Sequence, residues 1–296
     1  MIPDTPAAIQ ATVHVVGANG RSGGALVRAL LAQDIPVQPV VRDRDRWQHA
    51  APPPHALLAA PRIADLHDTR SSHAALQDAG RVVSTAHART TGLLLAAAPA
   101  AARLVLLGST RRFTRWPDAH GEGVRLGETA LLGSGRAGVM LHPTMIYGAA
   151  GENNVQRLAA LLRRLPVVPL PGGGRALVQP IHQDDVTRAI LAALTIAWDG
   201  PRAIVIAGPA PLPYADFVRA VARAAGLGPP RILTLPAAAL MTLAPLTAVL
   251  RFLPRITAAE IRRLQEDKAF DIAPMSATLG VQPIPLAAGL ARTFGR

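Results

Sequence analysis

The chain has 296 residues, half of them apolar, with 3% aromatic residues and no cysteine. A core can be buried, so disordered and collagen-like classes are excluded, as are disulfides, thiolate metal sites and cysteine nucleophiles; a reducing, cytoplasmic setting is expected. The formal charge of +12 is spread as +5 over residues 1–150 and +7 over residues 151–296, so no basic tail exists and nucleic-acid binding is not expected.

The N-terminus lacks the basic start and long apolar run of a signal peptide, so no export is expected. Residues 12–16 read as a strand, 22–33 as a helix, 37–41 as a second strand and 56–60 as a weaker third. A fourth strand follows at 81–85 and a fifth at 104–107, with most of the intervening helix supplied by 92–101. Strands apolar on both faces and separated by helices imply an α/β fold with a doubly wound parallel sheet of Rossmann type. Further strands are expected at 139–142 and 204–207, and helices at 153–165, 184–197, 214–225 and 258–266. The proline- and glycine-rich segments 166–174 and 226–230 read as loops.

Residues 232–250 carry no charge over nineteen positions, the length of a membrane span. Two prolines and the alternation of RILTL favour a buried strand and helix instead, with a membrane-surface helix as the alternative. Residues 1–150 are expected to form a dinucleotide-binding lobe and 151–296 a smaller C-terminal lobe, with roughly 181–207 returning to the first.

The strongest motif is VHVVGANGRSGG, in which Gly17, Gly20 and Gly23 lie between a strand and a helix. A pyrophosphate needs backbone N–H groups that approach without an intervening Cβ, and the helix N-terminus adds a favourable dipole. Gly17, Asn19, Gly20, Arg21, Ser22 and Gly23 are therefore the candidate phosphate cradle. At the end of the second strand stands VVRDRDRW, where Arg42 favours the 2′-phosphate of NADP(H) with Arg44 and Arg46 as helpers, while Asp43 would serve NAD(H). Asp65 and Leu66 are candidates to flank the adenine, and Ser84, Thr85 and Ala86 to flank the ribose.

Four ordered landmarks carry a family resemblance: the G-x-x-G-x-x-G spacing, LVLLGST, LHPTMIYG and PIHQDDVTRAI, with GVQPIPLAAGLART closing the chain. The chain resembles the extended or atypical short-chain dehydrogenases/reductases, in their nucleotide-sugar epimerase and NmrA-like branch. It is similar in this to the NADPH-binding accessory subunit of respiratory complex I. The resemblance implies a nucleotide lobe plus a smaller lobe, with cofactor and substrate between them, and chemistry by a serine, a tyrosine and a lysine four residues after the tyrosine.

Ser109 matches the serine. Only Tyr147, Tyr214 and Lys268 represent the other two residue types, so no Tyr-x-x-x-Lys pair exists. His120 stands where the tyrosine would fall, in a segment that reads as an exposed loop, and Tyr147 lies in the segment that lines the nicotinamide end. Both are candidate proton donors, and Ser109 and Tyr147 are also candidate cofactor contacts. His182, Asp184 and Asp185 are read as the start of a helix rather than as metal ligands. The expectation is an NADP(H)-binding protein that has lost its proton-transfer pair and serves a structural, redox-sensing or regulatory role with a protein partner. The alternative is an active oxidoreductase, epimerase or isomerase on a small carbonyl or sugar-nucleotide substrate.

Overall fold

The computed structural model describes residues 11–148, 154–165, 167–245 and 257–295. In its first half strands and helices alternate: β1 (Val13–Val16), α1 (Arg21–Leu31), β2 (Val37–Val41), α2 (Arg44–Ala50), β3 (Arg62–Ile63), α3 (Thr69–Leu76), β4 (Arg81–Ser84), α4 (Thr91–Ala97), β5 (Arg103–Leu107), α5 (Ala119–Gly133) and β6 (Gly138–Pro143). The second half holds β7 (Ile146–Tyr147), α6 (Asn154–Arg164), β8 (Val167–Pro171), β9 (Leu177–Val178), β10 (Ile181–His182), α7 (Gln183–Thr195) and β11 (Pro201–Ile206). It closes with β12 (Leu212–Pro213), α8 (Tyr214–Ala224), β13 (Arg231–Leu235), α9 (Ala237–Leu243), α10 (Ala258–Arg263), α11 (Ala273–Leu279) and α12 (Leu286–Phe294).

Seven strands form one sheet in the order β11-β6-β5-β4-β1-β2-β3, parallel throughout. Side-chain alternation explains its two cores. Val13, Val15, Val83 and Val105 pack with Leu26 and Leu30 of α1 and Ile190 of α7 on one face. Val16, Val82, Leu104 and Leu106 pack with Leu76, Leu94 and Leu131 on the other. Strand order reverses between β1 and β4, which opens a crevice beyond their C-terminal ends, where open α/β sheets bind ligands.

The structure corrects four readings of the sequence. The third strand is at Arg62–Ile63, because residues 57–59 pair with β2 only at Val37, in an isolated bridge, and Pro61 cannot extend that ladder. Helix α4 stops at Ala97, where Ala98 turns extended ahead of Pro99. Residues 167–171, read as a loop, form β8, in which Val168, Leu170 and Pro171 are buried and which pairs in parallel with β13. β13 and the helix opened by Pro236 form as expected but are not buried: α9 has no buried residue, and Leu233 is 48% and Leu243 49% exposed. No helix among the described residues is long and apolar enough to cross a membrane; residues 246–250 of the apolar run lie outside the described residues.

A further core lies beside the sheet, where Val155, Val168, Leu170, Phe217, Val218 and Val221 gather from α6, β8 and α8.

Candidate functional site

The turn after β1 is built around backbone approach. Gly17 has φ of +80°, open to glycine at little cost, and a Cβ there would lie 2.8 Å from Thr85 Oγ1. A Cβ on Gly23 would lie 2.2 Å from the Gly17 carbonyl oxygen. Helix α1 then begins at Arg21 with no side-chain cap and no acid in its first turn. Its first N–H groups and dipole are left for an anionic ligand. The loop thus fits the pyrophosphate of a dinucleotide.

Thr85 extends this picture, since its hydroxyl donates to the carbonyls of Val16 (3.2 Å) and Gly17 (3.1 Å) and ties the end of β4 to the loop. Ser84 is buried and Ala86 half-buried at the same crevice. Asn19 is half-buried, Gly20 and Arg21 are exposed at the loop's rim, and the Ser22 hydroxyl donates to Gln183 Oε1 at 2.9 Å. Ser22 therefore docks α7 onto α1.

At the end of β2, Arg42 is exposed, whereas the Asp43 carboxylate caps α2 by accepting from Arg46 N–H at 3.0 Å. Asp65, beyond the neighbouring β3, accepts from the backbone and ring of His67. Those bonds hold its carboxyl below the ordinary range, with Arg42 adding a smaller electrostatic contribution. Leu66 is buried beneath it.

Further along the crevice lies a cavity of about 640 Å³ lined by Ser109, Arg111, His120, Tyr214, Arg263 and Lys268 among others. His120 is not on a loop. Asp118 caps α5 by accepting from Gly121 N–H at 2.8 Å, and His120 sits half-buried in the first turn of that helix. The glycine-rich stretch hid this helix because glycine weakens helices, but Gly127 lets α5 press onto the turn 88–90: a Cβ there would lie 2.0 Å from the Ala88 carbonyl oxygen.

His120 Nδ1 lies 3.0 Å from His87 Nε2, with the rings edge to face. Burial lowers the pKa of both imidazoles, and neighbouring Arg111 and Arg89 push the same way. Both shifts favour the neutral imidazole.

Ser109 lines the cavity, and its Oγ accepts from Arg111 N–H at 3.2 Å, opening a short 3₁₀ turn. Behind it, Ser109 N–H donates to His142 Nδ1 (3.1 Å), and His142 Nε2 lies 2.8 Å from Glu128 Oε2, itself 2.7 Å from Arg112 Nε. Burial opposes ionisation of Glu128, but the hydrogen bond from His142 and the charge of Arg112 win and hold the carboxyl below its ordinary value. Sequence analysis placed His142 only within the LHPTMIYG landmark and gave it no role.

The arginine cluster 111, 112 and 115 acquires a local role: Arg111 pairs with Asp118, Arg112 with Glu128, and Arg115 with Glu266 at 4.0 Å. Lys268, the single lysine, lies in the cavity wall and donates from Nζ to the Arg263 carbonyl at 2.8 Å. Burial lowers its pKa. No sequence signal marked Lys268 or Glu266, because their segment reaches the cavity only through tertiary folding.

Tyr147 does not reach this cavity. It is fully buried, its ring edges onto His182 at 5.2 Å, and its hydroxyl abuts Gly289 of α12. Burial raises the phenol above its ordinary value, and the side chain sits in a packed core and not in the cavity wall. His182 caps α7 by accepting from Asp184 N–H at 3.2 Å, and Asp185 accepts from Ile284 N–H at 2.9 Å. These are structural duties.

The sheet order and the glycine turn define a Rossmann fold. Residues 17–124 match the family described as NAD(P)H-binding. Over nearly the whole chain the fold is shared with solved structures of low sequence identity. The NADPH-dependent quinone oxidoreductase of Escherichia coli, solved with NADPH, is 18% identical over 95% of this chain and 99% of its own, with a TM-score of 0.73. A UDP-glucuronic acid 4-epimerase from Bacillus cereus, solved with UDP-glucuronic acid and NAD, is 17% identical over 96% and 98%, with a TM-score of 0.72. A dTDP-glucose 4,6-dehydratase from Streptomyces venezuelae, solved with NAD, is 16% identical over 96% of each chain, with a TM-score of 0.73. No curated protein sequence matches significantly.

Proposed function

We propose that the chain is an NADP(H)-dependent oxidoreductase that reduces a small carbonyl or quinone-like compound in the cavity beside Ser109. The observation that carries this reading is the placement of Ser109 and the His120 ring in the wall of one cavity. Gly17, Gly20 and Gly23 would hold the pyrophosphate, Thr85 and Ala86 flank the ribose, and Arg42 meets a 2′-phosphate, Asp43 being engaged in capping α2. When bound, the reduced nicotinamide would supply the hydride, which becomes the C–H hydrogen of an alcohol from a carbonyl or an O–H hydrogen of a hydroquinone from a quinone, and water would supply the one further proton to oxygen. Ser109 and His120 orient and polarise that oxygen by hydrogen bonding, work that does not require either to lose its proton.

A second reading, a nucleotide-holding protein without turnover, is favoured by one observation: the resemblance's tyrosine and lysine are missing, and Tyr147 is sealed in a core. NADPH oxidation monitored against a panel of quinones and small carbonyls separates the two. Turnover that falls about 100-fold in His120→Phe supports the first reading. No oxidation by any member of the panel, with nucleotide bound, supports the second.

A further inference from the structure

His87 was not marked by any motif, yet it is the residue that decides what His120 can do. Its Nδ1 lies 3.1 Å from the backbone N–H of Arg89. A backbone N–H can only donate, so His87 Nδ1 is bare; this excludes both the Nδ1–H tautomer and the imidazolium. The His87 proton therefore sits on Nε2, which points at His120 Nδ1 at 3.0 Å. His120 Nδ1 must accept, and the single proton of a neutral His120 sits on Nε2. That second nitrogen bonds no described residue, and the ring lines the cavity.

We infer that His87 is a positioning residue that locks His120 as a neutral Nε2–H donor aimed at a substrate oxygen in the cavity. The inference rests on the reductase reading for the identity of that oxygen, but the tautomer lock stands on geometry alone.

The charged surroundings agree with the lock. His87 faces Arg89 from its own turn and Arg111 from the turn after β5. His120 faces the same two arginines, Arg263 of α10, and the opposing charge of Asp118, whose carboxylate is shared between Arg111 and Arg263. With the cations in excess, protonation of either ring is disfavoured. The pair also cannot relay a proton inward, because His87 Nδ1 is held by Arg89 N–H. It therefore fixes a dipole and leaves the proton to come from water.

The lock is read directly by ¹⁵N-detected imidazole spectra of the whole protein, with resonances assigned through His87→Gln and His120→Gln. At pH 7 both rings should be Nε2–H tautomers, and neither should titrate at the ordinary histidine value of 6.5. His87→Phe, which keeps a ring but removes the donor, should turn His120 into a tautomer mixture and raise its titration midpoint. His87→Gln, whose amide can still donate, should keep His120 as Nε2–H and covers the case in which the phenyl ring does not fit against Gly123. In turnover, His87→Phe should lower kcat about 10-fold with the KM for NADPH unchanged, and His87→Gln should recover most of it. An Nδ1–H His120 in the native protein, or an unaltered His120 tautomer in a folded His87→Phe, overturns the inference. A confirmed lock without turnover of any carbonyl or quinone would leave the positioning role intact and remove the reductase reading.

Discussion

The nucleotide turn and the cavity differ in how many parts of the chain each requires. Gly17, Gly20, Gly23 and the uncapped start of α1 lie within one strand–turn–helix unit, braced by Val40 of β2 and Thr85 after β4. The cavity instead takes Ser109 from the end of β5, His120 from α5, Tyr214 from α8 and Lys268 from the segment after α10. A local site depends on backbone shape. A composite site depends on buried polar links that hold its parts in register, and in this protein those links run through Glu128, His142 and Asp118.

Substitutions in the two regions should therefore fail differently, and the largest effect belongs to the composite one. Glu128→Ala leaves His142 and Arg112 without their shared carboxylate, and breaking a buried ion pair costs about 3–5 kcal/mol. Denaturant unfolding should show that loss. The pH dependence has a definite sign: the Glu128 carboxyl lies below its ordinary value of 4.5 in the folded state, so its contribution is present above that pH and is lost as pH falls through the folded value. Native stability should drop on acidification below about pH 4.5, and Glu128→Gln should flatten that part of the curve. An acid limb identical in wild type and variant would show that the network contributes nothing.

Next in size is Gly23→Ala, whose methyl group would stand 2.2 Å from the Gly17 carbonyl oxygen. Overpacking of this kind costs about 1–3 kcal/mol, and it reshapes the loop while leaving the cavity untouched. Loss of NADPH binding in titration calorimetry, with intact binding of a cavity ligand, would confirm that the two regions are separable. Retained nucleotide affinity would break the assignment of the cradle.

These contrasts explain what could be read along the chain. The glycine turn and the parallel strands were legible because their signals are local: short continuous apolar runs, helices between them, and glycines at a strand end. The Glu128–His142 and His87–His120 contacts were not, since each joins elements whose meeting depends on how α5 packs. The same holds for α5 itself, where Gly121 and Gly123 read as loop residues; Gly121 lies against the Arg111 carbonyl, and Gly123 and Gly127 against residues 87–89. β8 was hidden for a similar cause, its alternation of Val168 and Leu170 being masked by prolines.

A smaller effect tests specificity within the local site. Arg42 is exposed and carries no cap or ladder duty, so Arg42→Ala should leave stability unchanged within about 0.5 kcal/mol. Loss of a charge-assisted bond to the 2′-phosphate, about 1.5 kcal/mol, should weaken NADPH about 10-fold and leave NADH unchanged. Equal affinities for the two nucleotides in the native protein would remove Arg42 from the site and return Asp43 to consideration.

The smallest effect is expected at the β8–β13 pair, and it separates hydrophobic sequence from hydrophobic core. Residues 232–245 are as apolar as β1 and α1, but Leu233 retains 48% of its surface and α9 buries no residue, whereas Leu26 in α1 is fully buried. Burial, not composition, sets the cost of removing a side chain. Leu26→Ala should therefore destabilise the protein by about 2–5 kcal/mol, while Leu233→Ser should change stability by less than about 0.5 kcal/mol. Thermal unfolding of the two variants measures the difference directly. A large loss at Leu233 in the purified protein would mean that this face is covered in solution, and the comparison between the buried sheet and its exposed neighbour would have to be redrawn around that contact.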